Sequence, residues 1–256
     1  MQNLLKNILY HIFIMLCDVL KYQSLSKISS RFVRHIGKKY NNKITVGEYI
    51  IERFIDKKIF IGYSIKQYMY TSLFTTVNKF KNFDVVFYNN DDLSGYSALS
   101  YAKHTNNIGL ILSTSTYGFG NICKALNEAH IHKVPLLLMS FYDKENESKL
   151  TKSLKSERQY LKESYTVNNP EKCANVLEYM MMLSEMQQKG PVHLNICNNI
   201  LKKEIKLNKL HLDDVPFDET EDLSLLQYYE KKYNEAEIYE EEVENLKKQQ
   251  PQQLLT

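Results

Sequence analysis

Cysteine is scarce: Cys17, Cys123, Cys173 and Cys197 are all the chain has. They lie far apart with no CxxC pair, which argues against a disulfide framework or a zinc site and suits a reducing compartment. Glycine occurs only eight times. No Walker loop and no G-x-G-x-x-G is present, and Gly118-Phe119-Gly120 is too short to cradle a phosphate. Tryptophan is absent. There is no apolar run long enough to span a membrane. The net charge of +3 is too small to argue for a nucleic-acid partner.

What is present suits a globular protein. The 256 residues are 43% hydrophobic and 25% charged, enough for one large domain or two small ones. A core of about 160 residues would bury roughly 70% of the surface its unfolded chain exposes, so no covalent staple is required. Charge is unevenly placed. Up to Lys43 the basic residues face a single acid, Asp18, whereas acids concentrate between Glu235 and Glu244. This implies a basic leader over 1–43, a domain over 44–204 and an acidic helical or disordered tail over 205–256.

In the leader, Leu5, Ile8, Leu9, Ile12, Leu16, Val19 and Leu20 recur at helical spacing. This amphipathic helix either packs on the domain or a partner, or lies on a membrane surface. Lys6, His11 and Asp18 interrupt it, and no small-residue cleavage site follows, so neither a spanning helix nor a signal peptide is expected. The expected location is cytoplasmic.

The middle alternates two periodicities. Thr45-Val46-Gly47-Glu48 has capping-box spacing, in which hydroxyl and carboxylate reciprocally satisfy two backbone N–H groups. The helix it opens directs Tyr49, Ile50, Phe54 and Ile55 inward, with Glu52 and Arg53 expected outward. Short apolar runs follow at Ile59–Ile61, Asp84–Tyr88, Gly109–Ser113, Leu136–Ser140 and Val192–Ile196, with a weaker one at Tyr165–Val167. Helical patterns separate them at 67–80, 92–104, 120–132 and 171–188. Strands apolar on both faces, alternating with helices, predict a doubly wound α/β domain: a mostly parallel sheet of about six strands flanked by helices.

Several segments resemble one family. Ile44 to Arg53 resembles the opening helix of pyruvate decarboxylases and acetolactate synthases. Asn90-Asp91-Asp92-Leu93-Ser94-Gly95-Tyr96 and the residues to Lys103 resemble the stretch in which a glutamate begins a helix reading roughly A-A-x-A-A-D-G-Y-A-R. Thr114-Ser115-Thr116-Tyr117-Gly118-Phe119-Gly120-Asn121 stands where those enzymes have T-S-G-P-G-A-T-N. Val134-Pro135-Leu136-Leu137 and Gly190-Pro191-Val192-His193-Leu194 are similar to their V-P-L-L and G-P-V-H-L. The blocks fall in family order, and from Asp91 to Pro135 they align without a gap. The chain thus resembles the N-terminal pyrimidine-binding (PYR) domain of thiamine-diphosphate enzymes, as a stand-alone divergent copy.

The resemblance implies a cofactor that stabilises carbanions while the protein orients it and supplies electrostatics. It also implies that Asp91 occupies the position of the family glutamate, which hydrogen-bonds a ring nitrogen of the aminopyrimidine. An aspartate is one methylene shorter, about 1.5 Å of reach. The other reading of Asp91 and Asp92 is helix N-capping. Thr114, Ser115 and Gly118 are implied as further cofactor-binding residues.

The departures point away from chemistry. The family's F-G-x-P-G turn becomes Phe60-Ile61-Gly62-Tyr63-Ser64, and Thr116-Tyr117 replaces a G-P. No histidine stands in Phe141-Tyr142-Asp143-Lys144-Glu145-Asn146, while His130, His132 and His193 read as packing or surface residues. The G-D-G motif of the diphosphate- and magnesium-binding domain is nowhere in the sequence. Thiamine diphosphate is therefore expected only with a partner domain, and magnesium is not expected on this chain alone.

Three functions are consistent with these residues. One is a PYR-like protein without catalysis of its own, homodimeric by family expectation. Another is the PYR subunit of a split 2-keto acid decarboxylase or synthase, completed by a chain carrying the diphosphate-binding domain. The last is a membrane-surface or scaffolding protein acting through 1–43.

Overall fold

A computed structural model describes residues 31–66, 72–114, 119–143, 158–186 and 188–207. The apolar spacing at 4–20, the loop at 115–118 and the tail beyond 207 lie outside the described residues.

A helix over 31–39 (α1) precedes strand β1 (Lys43–Thr45) and helix α2 (Val46–Asp56). The expected capping box is present: Thr45 Oγ1 accepts from the Glu48 amide, and Glu48 reaches back to the Thr45 amide. The chain continues through β2 (Ile61–Ile65), α3 (Ser72–Val77), β3 (Asp84–Tyr88), α4 (Asp91–Thr105), β4 (Gly109–Thr114) and α5 (Phe119–Ile131). It then forms β5 (Leu136–Tyr142), β6 (Ser164–Val167), α6 (Pro170–Glu185), β7 (Pro191–Cys197) and β8 (Glu204–Lys206).

Six strands make one parallel sheet in the order β3-β2-β4-β5-β7-β6. Every residue of β5 and β7 is buried, as the unbroken apolar runs require of central parallel strands. The outermost strands are finished locally. Asp84 accepts from the Val85 amide at 2.8 Å, and Glu163 from the Ser164 amide at 2.9 Å. Each edge strand thus has one of its first amides satisfied by its own acid.

Polar atoms inside the sheet are paired. Ser64 Oγ donates to the Leu112 carbonyl at 2.8 Å. His193 is fully buried, with Nε2 at 2.6 Å from Ser140 Oγ and Nδ1 at 2.9 Å from Ser164 Oγ. Burial pushes its imidazole down to about 3, so it is neutral at ordinary pH. The expected packing role fits this histidine; His132 instead lies half in solvent, 3.2 Å from Glu128.

Two expectations fail, each for a physical reason. The strand expected at Ile59–Ile61 lies at Ile61–Ile65, so the segment aligned with the F-G-x-P-G turn is mostly strand. Gly62 and Ser64 disguise it as a turn, but a Cβ on Gly62 would stand 2.9 Å from the Leu112 side chain, so this is an interior strand position. Glu52 and Arg53 are not outward but buried, because α1 and α6 cover the face of α2 that would otherwise meet solvent. Arg53 binds both carboxylate oxygens of Glu178 and one of Asp56, and stacks 4.9 Å from the centre of the Phe32 ring. Glu52 accepts from Lys39 and Tyr40 of the same covering segment.

Two segments far apart in the chain meet in a ribbon. β1 pairs antiparallel with β8, Lys43 facing Lys206 and Ile44 facing Ile205. Phe32 and Ile36 of α1 join the same core.

Candidate functional site

The connection leaving β2 goes to β3 on one side, and that leaving β4 goes to β5 on the other. Such a reversal opens a crevice at the carboxyl ends of the two strands, where doubly wound folds place ligands. The amino terminus of α4 lies at this edge of the sheet, directly after β3.

Two glycines set α4 in place. A Cβ on Gly109 would lie 2.3 Å from the Ala98 carbonyl oxygen, so the helix backbone rests directly on β4. A Cβ on Gly95 would lie 2.9 Å from the Ala125 Cβ, so α4 and α5 touch nearly backbone to backbone. These two close approaches seat the helix directly on β4 and α5.

That turn is capped by neither aspartate. Asn90 has extended backbone and its side chain accepts from the Asp92 amide at 2.6 Å. The capping expectation for Asp91 and Asp92 is corrected accordingly: with Asn90 as cap, Asp91 becomes the first helical residue and its carboxylate is released from capping. Its backbone carbonyl accepts from Ser94 Oγ at 2.8 Å. The Asp91 side chain has no hydrogen-bond partner among the described residues, although the residue is only 8% exposed. Burial, with the neighbouring Asp92 charge, pushes its carboxyl above the usual aspartate range.

Asp92 points elsewhere. One oxygen lies 3.8 Å from Lys124 Nζ on α5, and the other is buried without a partner among the described residues. Tyr88, at the end of β3, accepts a hydrogen bond from Ser97 at 2.9 Å and stacks on Tyr63.

Of the other sequence-derived candidates, Thr114 ends β4, its backbone paired in register with Phe141. Ser115 and Gly118 lie outside the described residues, so only Asp91 and the Thr114 backbone can be placed at this edge. Sequence reasoning did not single out Asn90 or Lys124. In Asn90-Asp91-Asp92 all three residues can cap, and only the start of the helix decides among them. Lys124 carries no local signal because its partner lies on another helix. Among the described residues, no group of three His, Cys, Asp or Glu side chains could hold a metal ion.

A family model described as thiamine pyrophosphate enzyme, N-terminal TPP binding domain, matches residues 44–164. Comparison with curated protein sequences gives no match. Among solved structures, the chain is similar to benzoylformate decarboxylase from Polynucleobacter necessarius (TM-score 0.55, 16% identity), over 62% of this chain and 31% of that one. It is also similar to a protein from Mycobacterium smegmatis provisionally described as a thiamin diphosphate-dependent enzyme (TM-score 0.56, 16% identity), over 62% of this chain and 32% of the other. The likeness thus spans about a third of each of these proteins, and at such identity it concerns the fold.

Proposed function

Residues 44–164 are an N-terminal TPP binding domain of the thiamine pyrophosphate enzyme type, and on that premise we propose that the chain is a half-site. It presents Asp91 to the aminopyrimidine ring of thiamine diphosphate and does no chemistry by itself. The observation that carries this reading is the state of Asp91: a partly desolvated carboxyl at a helix start, relieved of capping by Asn90 and without a hydrogen-bond partner among the described residues. The carboxyl is partly desolvated, and a ligand nitrogen would supply the hydrogen-bond partner that the described residues do not.

The residues fit the ring end of the cofactor only. Asp91 would meet the pyrimidine ring as a hydrogen-bond partner. Thiamine diphosphate supplies carbanion stabilisation when bound; this chain contributes orientation and one proton-bearing or proton-accepting oxygen at Asp91. Diphosphate needs oriented amides and, through magnesium, hard oxygen ligands. Within these 256 residues no segment matches the family's motif for that grip. The reading therefore requires a diphosphate-binding domain beyond these 256 residues, in an assembly whose substrate is a 2-keto acid by family likeness. Pairing with a second copy of this chain is the accompanying expectation.

Calorimetric titration with thiamine diphosphate and magnesium tests this, using the chain alone, the chain with a candidate diphosphate-binding partner, and Asp91→Ala in both settings. The reading expects heat with the partner present and its loss in Asp91→Ala. Equal heats for parent and variant, or turnover of a 2-keto acid by the isolated chain, would overturn it.

A further inference from the structure

One surface is built in a way that the half-site does not explain. In the β1–β8 ribbon, Lys43 and Lys206 are direct cross-strand partners and both are exposed. Like charges placed opposite each other on one face destabilise a strand pair. The alternate faces hold Ile44 and Ile205, buried in the core, so the two lysines cannot exchange sides without losing that packing. Lys202 and Lys203, in the turn entering β8, are exposed as well.

The adjoining helix continues the pattern. Arg31, Arg34 and Lys38 of α1 follow i, i+3, i+7 spacing, which puts them on one face, and all are exposed. Residues 31–43 contain no aspartate or glutamate. The Leu207 amide donates to the Asn42 carbonyl at 3.0 Å, tying the ribbon to the turn that follows α1. Stripe and ribbon thus belong to one packed unit, relieved by a single exposed acid on the ribbon, Glu204.

We propose that this α1–ribbon face is a peripheral docking surface for an anionic lipid bilayer, with Lys43 and Lys206 at its centre. A sheet of anionic headgroups neutralises paired lysines that repel each other in water, and it meets a helix stripe and a ribbon at once. Lipid is favoured over nucleic acid because thirty residues of chain precede α1, and their apolar residues at 4–20 stand at helical spacing. A bilayer interface accepts such a segment, and one apolar signal plus one basic patch is the combination that anchors stably. Nucleic acid would leave the apolar half unused.

Vesicle co-sedimentation of the full chain tests this, comparing phosphatidylcholine alone with phosphatidylcholine containing a third phosphatidylserine, at low and physiological salt. Binding is expected only with phosphatidylserine, weakening as salt rises. Each lysine should contribute about fivefold, so Lys43→Gln/Lys206→Gln should bind about 25-fold more weakly. The same variant should melt no lower than the parent at low salt, because a repulsion has been removed. A control losing the same charge from α4 and α6, Lys103→Gln/Lys172→Gln, should bind as the parent does. Equal binding to both vesicle types, equal losses in the two double variants, or stronger retention by duplex DNA than by the acidic vesicles would each overturn the proposal.

Discussion

Arg53 and Glu178 form a two-pronged ion pair between α2 and α6, with the guanidinium wholly buried and the carboxylate nearly so. An arginine in that position satisfies several acceptors at once: Asp56 takes a third N–H, and the Phe32 ring covers the flat face. Removing only the arginine would take from Glu178 its main charge partner in a largely desolvated setting. We expect Arg53→Met to cost about 3–5 kcal/mol, and Arg53→Met/Glu178→Leu to recover most of it. Urea unfolding of the single and double variants checks this; additive losses would show that the pair is not coupled.

His193 makes stability depend on acid. Its folded-state value, about 3, lies below the ordinary value near 6.5. Between those values the unfolded chain binds the extra proton, so its contribution is complete above pH 6.5 and declines as pH falls toward 3. The decline approaches about 1.4 kcal/mol per pH unit for one proton. Urea midpoints measured from pH 7 to pH 4 should fall less steeply in His193→Gln than in the parent. Parallel curves would mean that other groups carry the acid sensitivity.

Asp91 should behave oppositely. Its carboxyl is held above the usual range, so the folded state keeps a proton that the unfolded state has released. Its contribution is therefore largest at low pH and is lost as pH rises through the folded value. At pH 7 Asp91→Asn should raise the melting temperature while weakening any cofactor binding, the trade expected of a functional residue. A lower melting temperature would instead make Asp91 a structural group.

Gly95 tests the helix contact that holds the site. Gly95→Ala puts a methyl 2.9 Å from the Ala125 Cβ, and should cost about 1–3 kcal/mol as α4 is pushed from α5. Combining it with Ala125→Gly vacates that space and should restore most of the stability. Failure of the second change to help would place the strain elsewhere along α4.

Asn90→Ala removes the side chain that accepts from the Asp92 amide. A loss of about 1 kcal/mol is expected, together with a new role for Asp91 as the nearest remaining cap. If cofactor binding exists, it should weaken here without any change to Asp91 itself. Undiminished binding would separate the cap from the site.

These expectations show where sequence reading succeeds and where it does not. The apolar runs of β4 and β5 are legible because central parallel strands are buried on both sides, and the capping box is legible because both partners lie within four residues. What escapes is set by distant chain. Arg53 looks like a surface residue until α1 and Glu178 enclose it. β2 looks like a turn until its glycine is packed by Leu112. The β1–β8 ribbon joins segments some 160 residues apart and leaves no local mark. Asp91 was legible by likeness alone; that Asn90 frees it from capping needed the three-dimensional helix start.

That ribbon also governs how the domain would respond to tension. Because Lys43 begins β1 and Lys206 ends the antiparallel β8, a pull applied at those two residues would open the ribbon from that end, rung after rung, instead of loading all its rungs together. The ribbon shares no strand with the six-stranded sheet, so its rungs can part without breaking a hydrogen bond between the strands beside α4.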